Sequence, residues 1–227
     1  MLISDILSEV FEYLDDRDEI LGSPNPKTYK LLIQTFLSCL DNSERQQLYN
    51  DGVYVPGGKY DLPVFNYPTF LKNLDYYEMI SFVKSWCRFY LEDGTEESVS
   101  AILRSILKLF VARSAHLNTL SIRSTSCEEK YMLLTEPSIC PLIKPLKNLY
   151  INCYSIDRLN TPEKNQRGLK RIILSRCKKF ANIIIPSLEK QKRTLRHVGF
   201  RGIDFDGCCK WDILKYCSKL EKLDIVD

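Results

Sequence analysis

The sequence predicts an α/β protein: a helical N-terminal module followed by a right-handed solenoid with a curved parallel sheet and convex helices. Three observations predict it. Up to residue 116, apolar residues recur at helical spacing between Gly/Pro breakers. After residue 116, a six-residue pattern returns five times. The charge balance also changes there: 11 Lys+Arg face 17 Asp+Glu before it, and 21 face 12 after it. Two modules with different surfaces are expected from that contrast.

Leu2, Ile3, Ile6, Leu7, Val10, Phe11 and Leu14 recur at three and four and predict one amphipathic helix over residues 2–15. Gly22-Ser23-Pro24-Asn25-Pro26 breaks the chain. A second helix is expected over residues 27–40, with Leu31, Leu32, Thr35, Phe36 and Cys39 on its buried side. Asn42 or Ser43 is expected to cap a short third helix that ends near Asn50 and is stopped by Asp51-Gly52. Residues 54–68 read as a loop whose Val64, Phe65 and Tyr67 pack back on the helices. Two longer helices are expected over residues 76–91 and 96–115, separated by Asp93-Gly94-Thr95. Glu96 and Glu97 lie in the dipole-favoured first turn of the latter. The first half is therefore expected to be all-helical.

The five hexapeptides begin at Leu117, Leu146, Leu169, Leu195 and Leu220, at intervals of 29, 23, 26 and 25 residues. Their L-x-x-L-x-L form and a period of about 20–29 residues match the leucine-rich repeat. Cys177, three after Leu174, fits the Asn/Cys place of that consensus. The fourth and sixth residues of each rib are expected to point inward and stack rib on rib, covered from behind by helical stretches over residues 180–192 and 211–216. The alternating positions then form one open face: Thr119, Ser121, Arg123, Asn148, Tyr150, Asn152, Arg171, Ile173, Ser175, His197, Gly199, Arg201, Lys222 and Asp224. Of these, Asn148, Tyr150, Asn152, Arg171, Ile173, His197, Arg201 and Lys222 are the candidate partner-binding residues. The face is polar, basic in its middle, and carries types enriched at binding hot spots. No polar capping repeat follows the fifth rib, so either more chain or a partner is expected at that edge.

The string from Leu2 to Leu14 resembles the first part of an F-box, whose pattern runs Leu-Pro-x-x-x-Leu-x-Glu-Ile-Phe-x-Tyr-Leu. Residues 27–33, the Asn50-Asp51-Gly52 stretch and the Phe-Asn-Tyr-Pro-x-Phe-Leu motif of residues 65–71 are similar to the connecting region of expanded F-box-like families of arbuscular mycorrhizal fungi. The resemblance implies a partial F-box-like helix in residues 1–22, a helical connecting module in 23–116, and a leucine-rich-repeat arc of about five repeats in 117–227. It also implies a substrate receptor of a cullin–RING (SCF) ubiquitin ligase. The Skp adaptor would be met by Leu2, Ile6, Leu7, Val10, Phe11 and Leu14, and a protein substrate, acidic or phosphorylated, by the repeats. The sequence departs from the family where Ile3 replaces the usual proline. It departs again where residues 15–26 hold no counterpart of the second and third F-box helices. A lone first helix is expected to dock the adaptor weakly or not at all. The alternative is a stand-alone repeat scaffold, or a basic ligand- or nucleic-acid-binding protein, with no ligase link.

Other classes find little support in the residues. No Gly-rich phosphate loop, His-Glu-x-x-His or Gly-x-Ser-x-Gly occurs, so no enzyme and no cofactor are expected. Nine cysteines include no Cys-x-x-Cys pair, and with two histidines they lack zinc-ligand spacing. They are expected to be reduced and mostly buried, as in a cytoplasmic or nuclear protein. The bases of the second half, including Lys170, Lys178, Lys179 and Arg196, are not interleaved with aromatics as a nucleic-acid stacking platform would be. No apolar run approaches the ~18 residues of a membrane span, and the first residues lack the basic region of a secretory signal.

Overall fold

The computed structural model describes residues 26–55, 65–91, 94–113, 115–124, 136–153, 168–176, 188–203 and 212–226. The helix expected over residues 2–15, with its six candidate adaptor contacts, lies outside them, as does Val64. The described chain forms two compact units. The first runs to Ala115 without Asp75–Tyr77, and the second combines Asp75–Tyr77 with the chain from His116 onward. Among the described residues, no helix is long and apolar enough to cross a membrane.

The first unit is built from helices α1 (Pro26–Ser38), α2 (Asn42–Asn50), α3 (Tyr76–Tyr90) and α4 (Glu96–Ala112), with a 3-10 turn at Tyr67–Phe70. On α1, Leu32, Ile33, Phe36 and Leu37 are buried, as are Cys39 and Leu40 just beyond its end, whereas Leu31 is 47% exposed. Leu32, Phe36 and Cys39 are buried as expected and Leu31 is not, while the half-buried Thr35 donates its hydroxyl to Leu31 O (2.7 Å). Helix α1 ends without a glycine. Its last turn closes with Cys39 N to Phe36 O (3.0 Å) and Leu40 N to Leu37 O (3.3 Å), and arginines meet the carbonyls that follow: Arg45 donates to Ser38 O (2.7 Å) and Leu40 O (2.8 Å), and Arg113 to Cys39 O (3.3 Å). The cap of α2 is Asp41, one residue before the expected position. Asp41 accepts from Glu44 N and Glu44 accepts from Asp41 N, both at 2.8 Å, a reciprocal box between two charged side chains. The stop at Asp51-Gly52 is as expected. Gly52 takes φ +79°, and Val53 N reaches back to Leu48 O (2.8 Å), with both side chains buried.

Thr95 caps α4 by accepting from Ser98 N (3.2 Å). Val99, Ile102, Leu103, Ile106, Leu107 and Phe110 form its buried stripe. Phe110 meets Phe36 edge-on at 4.9 Å, and Trp86 of α3, fully buried, donates to Gln34 (3.2 Å). Two expectations fail here. Tyr67 is buried but Phe65 is exposed, because the chain tightens into a 3-10 turn at Tyr67. The half is also not all-helical: Asn73–Asp75 is a short strand, β1.

The second unit carries β2 (Thr119–Ser124), β3 (Asn148–Cys153), β4 (Arg171–Ser175), β5 (His197–Arg201) and β6 (Lys222–Val226), in a sheet ordered β1 to β6. Strands β2 to β6 pair in parallel, each with the next in sequence. The protein is therefore mixed α/β. The register aligns Leu120, Leu149, Ile172, Val198 and Leu223 in one row and Ile122, Ile151, Leu174, Phe200 and Ile225 in another. The first four members of each row are buried. A third buried line runs through the rib-opening leucines Leu117, Leu146, Leu169 and Leu195.

Backbone bonding repeats with the sequence. The carbonyls of Asn118, Lys147, Lys170 and Arg196, second in their ribs, each accept two amides from the next rib at 2.8–3.0 Å. Behind the sheet, Gln191 is 2% exposed and accepts from Gly168 N and Leu169 N, both at 3.2 Å. Three short pieces lie between ribs: α5 (Cys140–Ile143), a 3-10 turn at Glu189–Gln191, and α6 (Asp212–Lys215). Where residues 180–192 were expected to be helical, Leu188 is α-helical and the 3-10 turn at Glu189–Gln191 follows it, while residues 177–187 lie outside the description. The last rib also departs from the expectation: Leu223 and Ile225, in the inward rows, are 44% and 51% exposed.

Candidate interaction surface

The alternation of each strand puts the candidate partner-binding residues on one face, in three cross-strand rows. One row runs Thr119, Asn148, Arg171, His197, Lys222; the next Ser121, Tyr150, Ile173, Gly199, Asp224; the last Arg123, Asn152, Ser175, Arg201, Val226. All eight candidates therefore share one surface. Arg171, Arg201 and Lys222 are exposed, and the other five are half-buried by their neighbours.

Short polar contacts order this face. Asn148 donates to Thr119 (3.2 Å), and Arg171 Nη1 donates to the Tyr150 hydroxyl (3.2 Å). At one end, Arg123 pairs with Asp75 at 2.6 Å and lies 5.6 Å from the Tyr77 ring centre. At the other, Asp224 Oδ2 lies 2.9 Å from both Lys222 Nζ and His197 Nε2. The Lys222 ammonium holds the Asp224 carboxyl below its ordinary value of 3.8. Partial burial opposes this, and the His197 contact adds to it. His197 is thus tied to a carboxylate on the open face. Gly199 gives Ile173 room: a Cβ there would lie 3.2 Å from Ile173 Cγ1.

The flanking cations are matched by acids, whereas Arg171 and Arg201 have no acidic partner among the described residues. The middle and the strand-end row of the face are left cationic. The family models searched, the curated proteins and the solved structures contain no match to this chain. Geometry therefore carries the functional reading.

Beyond the last row, the ends of β3 to β6 enclose a concavity of about 430 Å³ lined by Asn152, Ser175, Arg176, Arg201, Gly202 and Val226. Gly202 was not singled out from the sequence, and Arg176 was read only as one of the bases that make the second half cationic. Their signal was there: each is the eighth residue of its rib, counted from Leu169 and Leu195. Among the described residues no cluster of three or more His, Cys, Asp or Glu could hold a metal ion. Burial pushes the thiols of Cys39, Cys87 and Cys217 up, that of Cys87 to about 11. A thiol raised this way is a poor nucleophile at neutral pH.

Proposed function

We propose that this chain is a leucine-rich-repeat protein, a right-handed solenoid in its second unit, that binds a protein partner on the open sheet face and performs no chemistry itself. One observation carries the reading. Four successive ribs repeat the same shared-carbonyl bonding and stack their apolar rows in register, while the opposite face of these strands carries mainly polar side chains, of which Arg171, Arg201 and Lys222 are exposed. A parallel sheet is ordinarily covered on both faces. A sheet face with exposed cations, set with an ordered Arg–Tyr pair and with guanidinium groups that no acid meets among the described residues, suits a partner of opposite charge.

The F-box-like string of residues 2–14 extends the reading to a substrate receptor of a cullin–RING ligase, working inside the cell. Affinity capture with the full chain tests both levels. The Skp adaptor is expected to be retained, and lost when Leu7→Ala and Phe11→Ala are combined. A substrate is expected to be lost with Tyr150→Ala and Arg171→Glu while the adaptor stays. No adaptor retained at micromolar concentration removes the ligase link and leaves a stand-alone scaffold. A substrate indifferent to Tyr150 and Arg171 removes the sheet face as its site.

A further inference from the structure

The concavity at the strand ends carries two features that the fold does not need. Asn152 Oδ1 is buried at its wall without a hydrogen-bond partner among the described residues. An unpaired buried acceptor is costly and calls for a donor from outside. Arg176 is the non-glycine residue at positive φ among the described residues, with φ +57°. Its counterpart in the next rib, Gly202, has φ +56°. The rib end therefore demands a left-handed turn, and both turns are pinned by backbone bonds: Arg176 N to Arg201 O (2.8 Å) and Gly202 N to Val226 O (2.7 Å). Glycine meets that demand without strain; arginine does so only at a cost. A strained residue lining a concavity, beside an exposed Arg201, is the kind of outlier from which a binding role is inferred.

We propose that this concavity receives an anionic side chain on an extended peptide segment of the protein partner. The acidic group lies against Arg201, with the Arg176 turn forming the wall beside it, and a neighbouring backbone N–H is donated to Asn152 Oδ1. The inference rests on the reading of the sheet face as a partner surface and adds the chemistry recognised at its edge. A guanidinium takes a carboxylate or a phosphate in two-pronged fashion, so Asp, Glu and a phosphorylated hydroxyl share the required chemistry. The volume falls within the ~300–1,000 Å³ of pockets that enclose small ligands, enough for one side chain with its peptide unit.

Panning two randomised short-peptide libraries on the full chain, one unmodified and one with a fixed phosphoserine, tests this. Retained peptides are expected to share Asp or Glu, or the phosphoserine, at one position, and the better-retained library names the source of the anion. Arg201→Glu is expected to invert the preference at that position to Lys or Arg, with an unchanged circular-dichroism spectrum. Asn152→Leu is expected to weaken the best acidic peptide about fivefold, the worth of one net hydrogen bond, while keeping the acidic preference. Peptides with no acidic position, or a set unchanged by Arg201→Glu, overturn the subsite. If such peptides are still lost with Tyr150→Ala, the sheet-face reading stands. No retained peptides, or peptides indifferent to Tyr150 and Arg201 alike, overturn both.

Discussion

Replacing Arg176 by glycine is expected to stabilise the protein, although it removes a charged side chain from its surface. An L-residue held in the left-handed region costs about 1–2 kcal/mol. Glycine avoids that cost but returns part of it, about 0.4–1 kcal/mol, through a freer unfolded chain. The balance is a gain of about 0.5–1 kcal/mol. For a chain of this length that is a rise of about 1–4 °C in the unfolding midpoint. Arg176→Ala isolates the backbone contribution, because alanine loses the same side chain yet keeps the strain. Chemical denaturation of the three proteins, followed by circular dichroism, is the assay. The glycine variant should be the more stable of the two substitutions, by about 1 kcal/mol and with an unchanged slope. Equal midpoints for Arg176→Ala and Arg176→Gly would refute the strain, and with it the case that arginine is kept there for its charge.

Four other outcomes follow from buried and paired groups. Gln191→Leu leaves the amides of Gly168 and Leu169 without their acceptor and should cost about 2–3 kcal/mol in denaturant unfolding. Cys87 has its thiol pushed up by burial, so the folded state resists its ionisation. Stability should be intact below pH 9.0 and fall as pH rises from 9.0 toward about 11, as read by thermal melts across that range. Peptide mapping after thiol labelling of native protein at pH 8 should find Cys87 unmodified and the half-buried Cys140 labelled ahead of the buried Cys39, Cys87 and Cys217. The Asp224 carboxyl is held down by Lys222, so its interaction is present above the ordinary value of 3.8 and lost as pH falls through a lower one. NMR titration should find that lower midpoint, and Lys222→Gln should move it back up.

The sheet was legible because a stacked rib leaves little choice. Two inward positions must be apolar in every strand, so the hexapeptides carry the register directly, down to Ile172 beside Leu149 and Val198. The face followed from alternation alone. The first unit was legible in outline, since Gly52 and Thr95 mark helix ends by general backbone chemistry. Details set by distant contacts were not legible. Leu31 points to solvent because the neighbouring helices cover the side of Ile33 and Leu37. The carbonyls at and just beyond the end of α1 are met by Arg45 and Arg113, and nothing local marks those arginines for the task. Gln191 reads as an ordinary polar residue until its two amide partners, more than a rib away, are seen. The site was half legible: its side chains were named from parity, but the concavity at the rib ends needs backbone geometry. That geometry shows only when Arg176 is laid over Gly202.

The doubly used carbonyl at the start of each strand has an evolutionary corollary. It locks the phase of a strand to the one before it, whatever length of chain lies between, so the connections, which already differ across rib intervals of 23 to 29 residues, are free to lengthen or shorten. Insertions there leave every outward side chain at its own latitude on the face. Specificity can then diverge by exchanging single outward residues, and whole recognition strips could be grafted between such proteins without retuning the scaffold.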